Sequence, residues 1–190
     1  MKKQILFWAL ILFACTGFSQ TWNSDPAHSK LSFSVVHMGI ADVSGRFNKF
    51  EATIEATKKD FSDAKVELKV DVSSINTDVE QRDTHLKSPD FFDVAQFPDM
   101  SFKSSGITRI GKGNRYRLTG YLTLHGVTKP VTMTMVYRGT IQNPQTKKDV
   151  AGFMVTGVIR RSDFGIGNKF PASMLSENVQ IKADGEFSQP

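Results

Sequence analysis

From Lys30 onward, apolar and polar residues alternate along the chain with a period of two, the pattern of strands that show one face to a core and the other to water. Leu31, Phe33 and Val35 alternate with serines, and Phe50, Ala52, Ile54 and Ala56 with Glu51, Thr53 and Glu55. Val66, Leu68, Val70 and Val72 form a third series, and Met100 and Phe102 a fourth. Tyr116, Leu118, Leu122 and Leu124 follow, then Val131, Met133 and Met135. Phe153, Val155 and Ile159 share one parity, as do Val179 and Ile181. The pattern predicts eight strands, over residues 30–38, 44–56, 64–75, 99–110, 114–124, 129–142, 149–161 and 177–187. Turn-forming segments separate most of them: Gly111-Lys112-Gly113-Asn114, His125-Gly126-Val127-Thr128, and Asn143-Pro144 through Asp149. Short links of this kind join antiparallel neighbours. Eight such strands suit a closed barrel without exposed edges; a two-sheet sandwich satisfies the same alternation.

Residues 76–98 break the pattern. Thr77 and Glu80 have capping-box spacing, Val79 and Leu86 fall on one helical face, and Ser88-Pro89 reads as a second helix start. Two short helices are expected between the third and fourth strands, with Phe91, Phe92 and Phe97 covering one barrel end beside the other long connection, 162–176.

The first residues have another character. Met1-Lys2-Lys3 is basic, Ile5 to Cys15 is an unbroken apolar run, and Gly17 and Ser19 are small. The run is too short for a bilayer, which takes about 20 apolar residues, and reads as a secretory signal cleaved after Ser19. This divides the chain into a leader, 1–19, and one domain, 20–190. The alternative is a lipoprotein anchored at Cys15, since Leu12-Phe13-Ala14-Cys15 resembles a lipobox. Cys15 is the sole cysteine, so a chain cut after Ser19 carries no disulfide and depends on packing. Removing Lys2 and Lys3 lowers the formal charge from +5 to +3, from 24 to 22 basic residues against 19 acidic. The charge is mixed along the chain, without the basic run that marks a nucleic-acid partner, and no stable membrane span is expected.

Catalytic patterns are sparse. His28, His37, His85 and His125 have no metal-ligand spacing and no cysteine to join them, so no metal site is expected. No Gly-x-Ser-x-Gly elbow occurs. Asp163-Phe164-Gly165 spells a kinase tripeptide without the rest of a kinase, and Gly111-Lys112-Gly113 opens no helix. No catalytic residue is assigned. The apolar parity leaves Leu31, Phe33, Val35, Ile54, Val66, Leu68, Val70, Met100, Phe102, Leu118, Leu122, Leu124, Val131, Met133, Met135, Phe153, Val155, Ile159, Val179 and Ile181 pointing inward. Such residues fill a barrel or line a cavity for one small ligand, and periodicity does not separate the two.

Several motifs occur together and in order: Trp22-Asn23-Ser24-Asp25-Pro26-Ala27-His28-Ser29, Phe33 to Gly39, Gly45-Arg46-Phe47 and Ser74-Ile75-Asn76-Thr77. Then come Arg82-Asp83-Thr84-His85-Leu86-Lys87-Ser88-Pro89-Asp90-Phe91-Phe92-Asp93, Phe97-Pro98, Phe102, Gly120 to Val131, and Arg161-Ser162-Asp163-Phe164-Gly165-Ile166. On these residues the chain, over about 22–187, resembles the YceI-like family, bacterial proteins with a lipocalin-like barrel associated with polyisoprenoid lipids. It departs at His125, where an arginine is common; that position lies outside the inward parity.

The resemblance implies a lipocalin-like eight-stranded antiparallel barrel, no enzymatic activity, no cofactor, and a periplasmic or secreted carrier whose partner is an isoprenoid lipid, a polyisoprenoid or an isoprenoid quinone. It favours a cavity over a filled core, with Met100, Met133 and Met135 as an adaptable lining. A structural or stress-response barrel with a filled core, or an enzyme with a mouth-facing His or Asp, are the other classes. For a polar head group, His37 and Arg161 continue the inward series to strand ends and are the candidate contacts. In the alternative, Arg161 pairs with Asp163 or Asp90 and ties a loop down.

Overall fold

The computed structural model describes residues 19–190. The segment read as a leader, up to residue 18 and with Cys15, lies outside the described residues. Among the described residues, eleven strands form one antiparallel sheet. They are β1 (Gln20–Ser24), β2 (Lys30–His37), β3 (Ala41–Phe47), β4 (Phe50–Ala56), β5 (Lys65–Asp71), β6 (Ile75–Asn76), β7 (Asp99–Arg109), β8 (Arg115–Leu124), β9 (Val127–Gln142), β10 (Asp149–Arg160) and β11 (Leu175–Ser188). The register reduces these to eight staves. β1 and β2 lie along one edge of β11, Ser24 opposite Phe187 and Lys30 opposite Asp184, so they are one stave interrupted at 25–29. β3 and β4 are halves of a second stave broken at Asn48-Lys49, and β5 and β6 halves of a third broken by the 3₁₀ turn Val72–Ser74. Each stave pairs with its chain neighbours, and β11 returns to the first: a closed eight-stave antiparallel barrel. β1 lies outside the expected strands because Trp22 is its only large apolar residue, flanked by Gln20, Thr21, Asn23 and Ser24.

The breaks in the second and third staves meet in a crease. Asn48 and Lys49 donate backbone N–H groups to the Ser74 carbonyl and hydroxyl, and the Asp71 N–H donates to the Lys49 carbonyl. The crease separates two ends. On one side β1, β4, β5 and β7 to β11 form a continuous ring of hydrogen-bonded pairs. On the other side β6 pairs with β3 alone, and residues 77–98 cross the gap between β6 and β7.

That crossing holds one helix, α1 (Glu80–Lys87), where two were expected. Thr77 makes no capping box with Glu80: its N–H and hydroxyl both donate to Asp83 Oδ1, at 2.8 and 2.6 Å. Ser88 does not start a second helix but ends the first, its hydroxyl donating to the His85 carbonyl (2.7 Å), and turns follow to Phe97. Val79 is exposed and α1 has no buried residue, so the segment is held by its polar bonds and by the phenylalanines after it.

Candidate functional site

The two ends are built differently. At the closed end the 57–64 loop folds back into the barrel, and Phe61, 2% exposed at φ +57°, plugs it. Its ring meets Trp22, Tyr137 and Phe153 at centroid distances of 5.5, 4.9 and 4.8 Å, and Phe153 meets Phe187 at 5.4 Å. The Tyr116 hydroxyl donates to the Asp60 carbonyl (2.6 Å), and Arg109 lies over the Tyr116 ring while pairing with Asp60. Burial pushes the Tyr116 phenol up, with Arg109 opposing.

Above this plug the barrel is hollow. A cavity of about 440 Å³ runs from Phe153 and Phe187 to the other end, inside the range of about 300–1,000 Å³ usual for small-molecule sites. Two inward glycines help to keep it open. The Phe33 ring reaches over Gly45 and the Phe102 ring over Gly120, so close that a Cβ would sit 2.4 and 2.5 Å from ring carbons.

Every lining position named from the sequence faces this cavity except Val70 and Val131. Val70 is fully buried within the wall, and Val131 packs against the core without reaching the cavity. Parity did not reveal the lining from outside the regular strands: Leu86, Phe91, Phe92, Ile166, Phe170 and Met174. Clustered phenylalanines in the two long connections were the available signal.

The polar lining gathers in two places. Ser29, Lys30, Ser32 and Asp184 border the interruption of the first stave, and His37, Thr77, Arg82, His85 and Arg161 lie toward the open end. His37 and Arg161 thus border one mouth. His37 is exposed, at the end of β2 opposite Leu175. Arg161 is 3% exposed, and its five N–H groups meet five backbone carbonyls: Nε with Ser176, Nη1 with Ile166 and Gly167, Nη2 with Phe170 and Leu175, at 2.6 to 3.2 Å. Its charge is balanced by Glu177 Oε1 at 2.9 Å, not by Asp163 or Asp90. Arg161 therefore organises the 161–174 loop from within, and its N–H groups are already occupied.

Arg82 is placed differently. Nε donates to the Thr77 hydroxyl (2.8 Å) and Nη2 to the Thr77 carbonyl (2.9 Å), and among the described residues Arg82 forms no ion pair. His85, one position short of a full turn further along α1, bonds Asp90 through Nε2 (3.1 Å) and packs edge-on against Phe91 and Phe170. Asp90 also takes Lys169 from the opposite loop, and these two partners, Lys169 first, hold its carboxyl below the usual range. His125 ties the β8–β9 turn to the same loop, Nδ1 lying 3.0 Å from the Phe164 carbonyl and the ring edge-on to Phe97. Far from the mouth, Asp25, His28 and Glu186 bring donor atoms within 4.8 Å of one another at the interrupted stave, with His28 Nδ1 bonded to Asp25 at 2.7 Å. No described helix is long and apolar enough to cross a membrane.

Comparison with known proteins places these features in a wider group. The YceI-like domain profile matches residues 22–187. UPF0312 protein SA2479 of Staphylococcus aureus (strain N315) is 35% identical over 168 residues, covering 86% of this chain and 95% of that protein. Among solved structures, Burkholderia cenocepacia BcnA superposes with a TM-score of 0.73 at 26% identity, covering 87% of this chain and 98% of BcnA. The Campylobacter jejuni YCEI protein gives 0.73 at 28%, covering 80% and 87%. A polyisoprenoid binding domain from Saccharophagus degradans gives 0.66 at 16% identity over 90% of this chain and 99% of that domain, a likeness of fold.

Proposed function

The chain belongs to the YceI-like family, and on that premise we propose that the protein is a non-enzymatic carrier of a long isoprenoid lipid outside the cytoplasm. The observation that carries this reading is the hollow apolar lumen, shut by an aromatic plug at one end and bordered by polar side chains at the other. Each buried methylene contributes about 0.8 kcal/mol, so ten buried carbons contribute about 8 kcal/mol, comparable to the cost of association. A chain held this way is recognised by apolarity and length more than by shape. The choice of an isoprenoid follows the family resemblance, and the same ligand class is named for the Saccharophagus domain. Export rests on the leader pattern of residues 1–19.

The polar end of the lipid belongs beside Arg82 and His85. Arg82 has N–H groups beyond those bonded to Thr77 and offers a phosphate or carbonyl head a charge-assisted donor. Among the described residues near the His85–Asp90 pair, the Ser88 hydroxyl is directed at the His85 carbonyl and not at the imidazole. The experiment is lipid extraction and native mass spectrometry of the purified protein, followed by the Arg82→Met variant. A recovered isoprenoid is expected, and Arg82→Met should weaken a phosphorylated isoprenoid about tenfold and spare an uncharged isoprenol. An unliganded protein that takes up no isoprenoid returns the barrel to a structural role.

A further inference from the structure

Beside the mouth, large apolar side chains stand in water. Ile40 is 87% exposed and Met38 58%, at the turn between β2 and β3, and Met174 of the facing loop is 44% exposed. Isolated exposed apolar residues are ordinary; a group of them at the rim of an apolar cavity is not. The turn sharpens the point. Met38 has φ +52° and Gly39 φ +72°. Left-handed turn positions favour Gly, Asn or Asp, which adopt them readily and face water at no cost. Met38 has neither property, so local turn chemistry does not account for it. The turn is also fixed to the mouth: the Met38 N–H donates to the Met174 carbonyl (2.9 Å), and His37 and Met174 both line the cavity.

We propose that Met38, Ile40 and Met174 form a docking lip through which the protein rests on the surface of a lipid bilayer while its cargo passes in or out. This rests on the carrier reading and adds the partner and the face. Three side chains, two on the turn and one on the facing loop, offer far less than the roughly 800 Å² per partner of a stable protein interface. They do suit shallow insertion in a bilayer, where each buried methylene contributes about 0.8 kcal/mol and attachment stays weak and reversible. A mouth held against the bilayer also lets an apolar chain enter without crossing water. The turn from His37 to Asp42 holds no lysine or arginine, and Lys169 of the facing loop is paired with Asp90, so the attraction is apolar and insensitive to salt.

The test uses flotation with phosphatidylcholine vesicles, uptake of farnesol from solution, and the double variant Met38→Asn/Ile40→Ser. Asn fits the positive φ, so the variant should melt with the parent. The parent is expected to float with vesicles equally at low and high salt. The variant should lose about tenfold or more of this partitioning while taking up farnesol normally. A folded variant that floats like the parent, a parent that never floats, or parent binding abolished by salt would each overturn the lip while leaving the carrier reading intact if farnesol uptake is normal. Failure of both proteins to take up farnesol overturns the carrier reading, and the lip as its loading face with it.

Discussion

The closed and open ends of this barrel use phenylalanine for opposite purposes. At the closed end Trp22, Phe61, Phe153 and Phe187 meet edge to face, each with the next, inside a continuous ring of strand pairs. At the open end Phe91 and Phe170 stack at 5.0 Å on segments that form no strand, beside the gap between β6 and β7. One set fills space and the other bounds it. The lesson is that a barrel becomes a container when its sheet closes at one end only. The staves at the other end splay, and loops braced by polar bonds take over the enclosure.

The largest test of this contrast is Phe61→Ala. Truncating a buried ring costs about 4 kcal/mol, and the positive φ remains, so no backbone relief offsets the loss. Denaturant unfolding should register the full amount while the preference among head groups stays unchanged. A variant of near-parental stability would mean that the plug is not structural, and that the lumen continues to the closed end.

Arg161→Met is the corresponding test at the open end. It removes five donors from buried carbonyls and leaves Glu177 without its cation, a loss of about 3 kcal/mol. Because the arginine acts through the loop, all ligands should weaken together as the melting temperature falls. Selective loss of phosphorylated lipids, at an unchanged melting temperature, would make Arg161 a head-group contact after all.

That arginine also marks where sequence reasoning stops. The eight staves were legible because alternation depends on local parity alone, and parity carried Leu31, Leu122 and Met133 to the cavity wall. The crease lies where apolar parity slips: Phe50 to Ala56 and Val66 to Val72 keep even positions, whereas Phe47 and Ile75 across the two breaks are buried at odd ones, and each break is too short to read as a turn. Parity placed Arg161 at an inward strand end, but the carbonyls it binds lie five to fifteen residues on, in a loop with no period. The same holds for Thr77: the capping-box spacing pointed to Glu80, whereas Asp83 supplies the oxygen. Partner choice of this kind is decided by the path of a loop, which hydrophobic patterning does not describe.

The smallest expected effect lies at the seam between the two ends. Where the first stave is interrupted, His28 bonds Asp25 at 2.7 Å and stands 3.9 Å from Glu186 on β11, so the three clip the 25–29 excursion to the wall. The bond to Asp25, and then the charges of Asp25 and Glu186, push the His28 imidazole above its ordinary 6.5. The bond from His28, and then the Ala27 N–H, hold the Asp25 carboxyl below 3.8. A raised histidine contributes fully below pH 6.5 and fades as pH climbs through its folded value; a lowered carboxylate contributes above pH 3.8 and fades as pH falls through its own. The clip is therefore strongest between those two values. The His28 side chain is largely exposed and that of Asp25 more than a third exposed, so solvent screens the pair and the effect is small. Melting temperatures of the parent and His28→Gln should differ most near about pH 5.5 and converge near about pH 9. A difference of equal size at both pH values would show that the imidazole acts by its shape and not by its charge, and the seam would then hold by packing, as the closed end does.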